Sequence, residues 1–444
     1  QSLDPGFISS SDPHTNGANL YQKGVAITGI TDDYDGTLRP TTPSQGAHEF
    51  TPPQNDAGVV TFTQPVAQCA DTNTIEVTVR NYGIQSLDSV RVYWNWTGNG
   101  STSGNGVVNL ICSPGLATGA DTTIYLSDVI MTSGAPGYNF TAYTSMPNGV
   151  VDEKFTNDTT HFYTQTAMEG SFTIGGTTPD FATFSAAVNG LNTFGVCGPV
   201  TFYARSGTYN ERIAISNLLG SSSTNTVTFT TDTNNSAPVL LTYSSGSSSD
   251  RAVIYLDGAN YVSFDGYDLQ NNGGSYAGGV YLQNSNNGIT LNGLSFSSTS
   301  TSSLNNPIEA YMYGVNSEDL TITNCNLGGG YYGIRVYCYN NGGPGLNGLV
   351  VENNTITNSY YYGMYLYYHE NSTIRNNNVD MVGGISNTYA YGLMCYGYGT
   401  GYQIEGNRVH AGYYGLYCYN LSGTNENRGL VANNKILLGD TATS

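Results

Sequence analysis

The chain has 444 residues, with 13 Lys plus Arg against 32 Asp plus Glu, a net charge of −19. Only 10% of its residues are charged and 39% are apolar, which excludes intrinsic disorder and the basic footprint of a nucleic-acid binder. No apolar run reaches the ~18–20 residues that cross a bilayer, and the Gly, Ser, Thr, Asn and Tyr content points to an all-β extracellular protein.

The chain opens at Gln1 with no initiator Met and no signal segment, so it reads as a slice of a longer secreted polypeptide. Residues 1–50 are loop-rich. Within them Asp33-Tyr34-Asp35-Gly36 resembles half of a calcium loop without its later bidentate Glu, and a hydrogen-bonded Asp/Gly turn is the other reading. Apart from calcium at Asp33 and Asp35, no cofactor or metal is expected. Between residues 56 and 166, short alternating strands such as Ile75-Glu76-Val77-Thr78-Val79 and Val90-Arg91-Val92-Tyr93-Trp94 are separated by Gly, Asn and Asp turns. About seven strands in this span predict an immunoglobulin-like β-sandwich with Trp94 in its core. Seven Cys without a CxxC pair argue against zinc, and Cys69 with Cys112 is an open disulfide candidate.

At Thr178-Pro179-Asp180 the pattern predicts one helix over 179–192, with Thr178 as N-cap and Phe181, Phe184, Val188 and Leu191 as its apolar stripe. From Tyr261 onward the chain repeats. A unit of the form apolar-x-apolar-x-x-Asn-x-apolar recurs, its sixth position falling at 267, 294, 325, 354, 377, 407 and 434. The mean spacing is (434 − 267)/6, about 28 residues. A second unit lies between the copies, as in Tyr332-Gly333-Ile334-Arg335-Val336 and Tyr362-Gly363-Met364-Tyr365-Leu366. Strands this short bury their apolar faces only by stacking coil on coil, which predicts a right-handed parallel β-helix over 170–444, running to the end of the chain. Asn354, Asn377, Asn407 and Asn434 are then expected to form a ladder of buried amides.

Ser206-Gly207-Thr208-Tyr209-Asn210-Glu211 resembles the first coil of pectate-lyase-like β-helix proteins. The runs Gly170–Gly176 and Gly195–Val200 resemble giant secreted surface proteins of gliding bacteria, in which immunoglobulin-like and β-helix modules alternate. That resemblance implies that residues 1–50 close a preceding β-helix and that the chain sits at a bacterial cell surface. It also implies attachment rather than chemistry, with neighbouring modules of the same polypeptide, and identical subunits of a filament, as partners.

Glycoside hydrolysis needs paired carboxylates flanking the scissile bond. The carboxylates after Tyr261 show no Asp-Asp pair, and Glu352, Arg375 and Glu405 read as an exposed salt-bridge ladder. His369 is expected in solvent. No catalytic residue is assigned, and a non-enzymatic structural or adhesive module is expected. The alternative is a polysaccharide lyase or hydrolase, or a glycan-binding module. The unusual quantity is Tyr: 26 of 37 lie between Tyr255 and Tyr419. Tyr311, Tyr313, Tyr337, Tyr339, Tyr365, Tyr367, Tyr396, Tyr398, Tyr417 and Tyr419 are expected to face outward. Two readings stand: a face that binds surface glycans or another subunit, and Tyr–Tyr packing that stiffens the rod.

Overall fold

The computed structural model describes residues 12, 14, 15, 17, 20–65, 69–98, 102–132, 137–383, 387–397 and 399–439. They fall into two compact units, residues 1–166 and 167–444. Among them no helix is long and apolar enough to cross a membrane.

Among its described residues the first unit has seven antiparallel strands: β1 (Ala57–Gln64), β2 (Thr72–Asn81), β3 (Leu87–Thr97), β4 (Ser103–Leu116), β5 (Asp121–Ile130), β6 (Tyr138–Ser145) and β7 (Thr159–Thr164). They form a three-stranded sheet, β1-β2-β5, and a four-stranded sheet, β4-β3-β6-β7. Alternating residues of both, among them Val77, Val79, Val92, Ile124 and Phe140, share one apolar cluster. Trp94 packs at its margin, half-buried rather than in the centre. The antiparallel sheets are thus present, while an immunoglobulin-like assignment is a finer statement than they make.

The Cys69–Cys112 bridge does not form. Cys112 lies on β4 as a free, half-buried thiol. Cys69 precedes β2, on the other sheet, and takes its disulfide elsewhere.

The second unit is a parallel β-helix. Three sheets of parallel strands run along it, and each coil donates one strand to each sheet in turn. The first extends from Met168–Ile174 to Leu430–Ala432, the second from Gly207–Asn210 to Lys435–Leu438, and the third from Ile213–Ser216 to Tyr414–Tyr419. Coils therefore begin well before the Tyr261 at which the sequence repeat becomes visible. Register is strict: Leu241, Leu269, Phe296, Leu327, Ile356, Val379 and Val409 pair in succession along the second sheet, all buried. Between the first and second sheets the chain turns through a left-handed residue at Gly266, Gly293, Asn324, Asn353, Asn376, Gly406 and Asn433. Gly and Asn tolerate that backbone best, which is why the repeat has one of them there.

The helix is shorter than expected. It spans Phe184–Phe194, and Thr183 is its N-cap, accepting from the Ala186 amide at 3.1 Å. Asp180 is drawn away instead: its carboxylate accepts from the Thr173 amide and hydroxyl, both at 2.8 Å, and Phe181 bridges to Ile174. Phe184, Ala187, Val188 and Leu191 form the buried stripe.

Candidate functional site

The outer surface of the third sheet collects the Tyr residues. Alternate side chains of a strand point to the same face, so the slots of Arg335 and Tyr337, and their register partners in other coils, face outward around an inward Val336. In one row Tyr311, Tyr337, Tyr367, Tyr396 and Tyr419 pair in register, one per coil. Their rings stack nearly parallel: successive centroids are 5.2, 5.0, 4.2 and 5.0 Å apart, with interplanar angles of 13°, 3°, 2° and 15°. A second column, Tyr332, Tyr362, Tyr391 and Tyr414, repeats at 5.2, 5.0 and 5.0 Å. Tyr365 lies between the two, edge-on to Tyr332 and Tyr362 and parallel to Tyr367.

This geometry refines the expected face. Interior rings spend both faces on their neighbours along the helix axis, so the column offers ring edges and hydroxyls to its surroundings. Most of its rings are half-buried, and Tyr419 and Tyr313 are exposed. Tyr313 stacks on Tyr339, and Tyr417 on Tyr419. Tyr398 lies outside the described residues. Burial, with neighbouring Tyr as a lesser cause, raises the phenols of Tyr337, Tyr362, Tyr365 and Tyr367, that of Tyr365 to about 12. The hydroxyls are therefore neutral donors and acceptors at physiological pH.

At the amino-terminal end of the Tyr face lies a charged group that the sequence pattern did not single out. Glu309 occupies an outward position of its strand, between Tyr281 and Arg335 in register, yet is only 2% exposed. One carboxylate oxygen accepts from Arg335 at 2.6 Å and lies 3.2 Å from Arg251, while the other accepts from Asn306 at 2.8 Å. The guanidinium of Arg251 lies 4.0 Å from the Tyr281 centroid, and that of Arg335 within 5.1 to 5.8 Å of Tyr332, Tyr311 and Tyr337. Two Arg thus neutralise the carboxylate and lie over aromatic rings. The only sequence signal was an acid in a strand slot filled by Tyr in four other coils.

Other expected positions resolve individually. Asn377 and Asn407 each donate an amide N–H to the next Asn of the ladder and another to a backbone carbonyl, at 2.8 to 2.9 Å. Asn354 does the same upstream, and Asn434 accepts at the far end. Glu352, Arg375 and Glu405 share one register, with Arg375 bonded to Glu352 at 2.7 Å. His369 is not in solvent. Paired in register with the buried Leu346, it takes an inward slot, is 2% exposed, and meets the Ser372 hydroxyl at 2.9 Å. Burial lowers its pKa to about 4.

Asp33 is accounted for by hydrogen bonds. Its carboxylate accepts from the amides of Glu49, Thr37 and Asp35, which hold its pKa down, and Asp35 meets the His14 ring at 2.8 Å. These bonds form a hydrogen-bonded Asp/Gly turn. A different acidic group, Asp56, Asp152 and Asp158 of the first unit, is drawn together instead, with residues almost a hundred positions apart.

Residues 252–442 match the family model described as the right-handed β-helix region. No curated protein matches the chain. Among solved structures it is similar to a family 28 exopolygalacturonase of Yersinia enterocolitica, at 9% identity and a TM-score of 0.26, over 85% of this chain and 99% of that one. It is also similar to the catalytic domain of Agl-KA, at 9% identity and a TM-score of 0.20, over 95% and 99%. The expectation of a chain without catalytic activity is corrected by these two neighbours, which are an exopolygalacturonase and a catalytic domain. At such TM-scores the likeness assigns no residue a role.

Proposed function

We propose that this chain is an extracellular, polysaccharide-active β-helix protein that engages its glycan along the Tyr columns of the third sheet. The observation that supports this most is the in-register column Tyr311, Tyr337, Tyr367, Tyr396 and Tyr419, with one phenol every 4.2 to 5.2 Å. That rise is comparable to the rise per sugar of an extended glycan, so a chain laid along the axis meets a hydroxyl at each residue. The net charge of −19, and the pairing of Arg251 and Arg335 to Glu309, favour a neutral glycan over a polyanionic one. Seven strands in orders β1-β2-β5 and β4-β3-β6-β7 support an immunoglobulin-type module that precedes the β-helix in the chain.

The test is affinity electrophoresis and calorimetry against neutral and acidic polysaccharides, followed by assay of chain cleavage on whichever is bound. Neutral glycans are expected to bind, and Tyr337→Ala with Tyr367→Ala to weaken binding at least about tenfold, or 1.4 kcal/mol. Binding that ignores both substitutions, or no binding at all, would remove the proposal.

A further inference from the structure

The three aspartates of the first unit form a buried pocket of oxygen ligands, and we infer that Asp56, Asp152 and Asp158 bind one calcium ion. Asp56 lies immediately before β1, and Asp152 and Asp158 in the connection from β6 to β7. They are 2%, 3% and 7% exposed, and one carboxylate oxygen from each lies within 4.8 Å of the others. None is in an ion pair with a Lys, Arg or His among the described residues.

The surroundings are built to hold these oxygens. Asp152 accepts from the Ala57 amide at 3.1 Å and the Lys154 amide at 2.9 Å, which fixes its carboxylate plane. Asp56 accepts from the Asn157 side-chain amide at 2.8 Å. Beside it the Glu153 carboxylate accepts from the amides of Gln54 and Asn55, at 2.9 and 3.2 Å, and ties the same two segments together. Gly58 leaves room for the connection, since a Cβ there would strike the Asn157 carbonyl.

The independent observation is what these bonds leave over. Asp158 Oδ1 is buried against its two fellow carboxylates with no hydrogen-bond partner, and Asn157 Oδ1 beside it is likewise buried and unpartnered. A buried polar atom without a partner is costly, and three apposed carboxylates without a cation more so. The unpaired oxygens and the excess charge are met together by one hard cation. An all-oxygen set with no His or Cys suits calcium rather than a softer metal, and carboxylates of separate loops suit its flexible coordination. The ion would clamp the β6–β7 connection to the start of β1.

The experiment uses the full chain, stripped with chelator and titrated with calcium by calorimetry. The wild type is expected to take up one calcium equivalent more than Asp158→Asn, and its thermal midpoint to fall on chelation while that of the variant stays put. Equal stoichiometry in both, or no uptake by the wild type, would overturn the assignment. Should Asp158→Asn fail to fold, Asp56→Asn takes its place. Terbium emission sensitised by Tyr82, whose amide donates to the Asp56 carbonyl, is read on the wild type alone: emission displaced by calcium supports the site, and its absence counts against it.

Discussion

The amino-terminal and carboxy-terminal coils of the β-helix meet one stacking requirement with two chemistries. In the early coils an aromatic column runs inside: Phe172, Phe202, Phe229 and Phe264 stack in register, with centroids 5.7, 4.7 and 5.0 Å apart. The turn position beside it is filled by Tyr267, Leu294 and Cys325, all buried. In the later coils that inner row becomes Leu291, Ile322, Val351, Ile374 and Ile404, the turn position becomes the Asn ladder, and the aromatic column moves outside as Tyr. In-register stacking makes any residue type into a column. Whether a column is core, polar spine or surface depends on which strand slot repeats, and the hydroxyl of Tyr is what lets an aromatic column face water.

The inner aromatic column is expected to be the more expensive to break. Phe229→Ala removes a fully buried ring stacked on both sides, and a loss of about 4–5 kcal/mol is expected in urea unfolding of the second unit. A loss below about 2 kcal/mol would mean that the coils collapse around the gap and that ring stacking is not what holds them. Asn377→Ala comes next. It strips the Val351 carbonyl and the Asn354 amide of their partners inside the stack, for about 3–4 kcal/mol. Asn377→Leu is expected to rescue little, because the orphaned groups stay buried. Full rescue would show that the Asn and Leu versions of this turn are interchangeable.

Much of this was legible because a solenoid writes its contacts into its period. The spacing of about 28 residues places the Asn ladder and the paired Tyr rows. What was not legible breaks the period or joins distant segments. Glu309 sits in a slot that Tyr255, Tyr281, Tyr365 and Tyr417 hold in other coils, and its partners Arg251 and Arg335 come from two coils before it and one coil after. Asp56 and Asp158 are about a hundred residues apart and meet only through antiparallel pairing. The helix start moved from Thr178 to Thr183 because Asp180 found a better partner in Thr173, a tertiary preference that capping rules do not see. His369 was misplaced because it follows an alternating Tyr strand, and one left-handed residue at Tyr368 reverses which side the next residue faces.

That histidine separates inner from outer slots by pH. Its pKa is about 4 when folded against 6.5 ordinarily, so the unfolded chain binds more protons between those values. Stability is therefore fully present above pH 6.5 and is lost as pH falls toward 4, by about 2–3 kcal/mol. His369→Gln is expected to flatten that part of the profile relative to the wild type. An unchanged slope would place the ring in water after all.

The smallest expected change in stability tests the outer column. Tyr367→Phe keeps the ring, its parallel neighbours Tyr337 and Tyr396, and its edge contact with Tyr368. A hydroxyl goes, with its hydrogen bonds to Tyr368 and Tyr396, so unfolding free energy is expected to fall by about 1 kcal/mol. If the phenols exist to meet a glycan, affinity for it should fall about fivefold, near 1 kcal/mol, because one hydrogen bond per sugar is removed. If affinity is unmoved while Tyr367→Ala abolishes it, the rings and not their hydroxyls make the contact. A larger loss of stability without loss of affinity would instead make the outer column a second spine, doing outside what the Phe column does within.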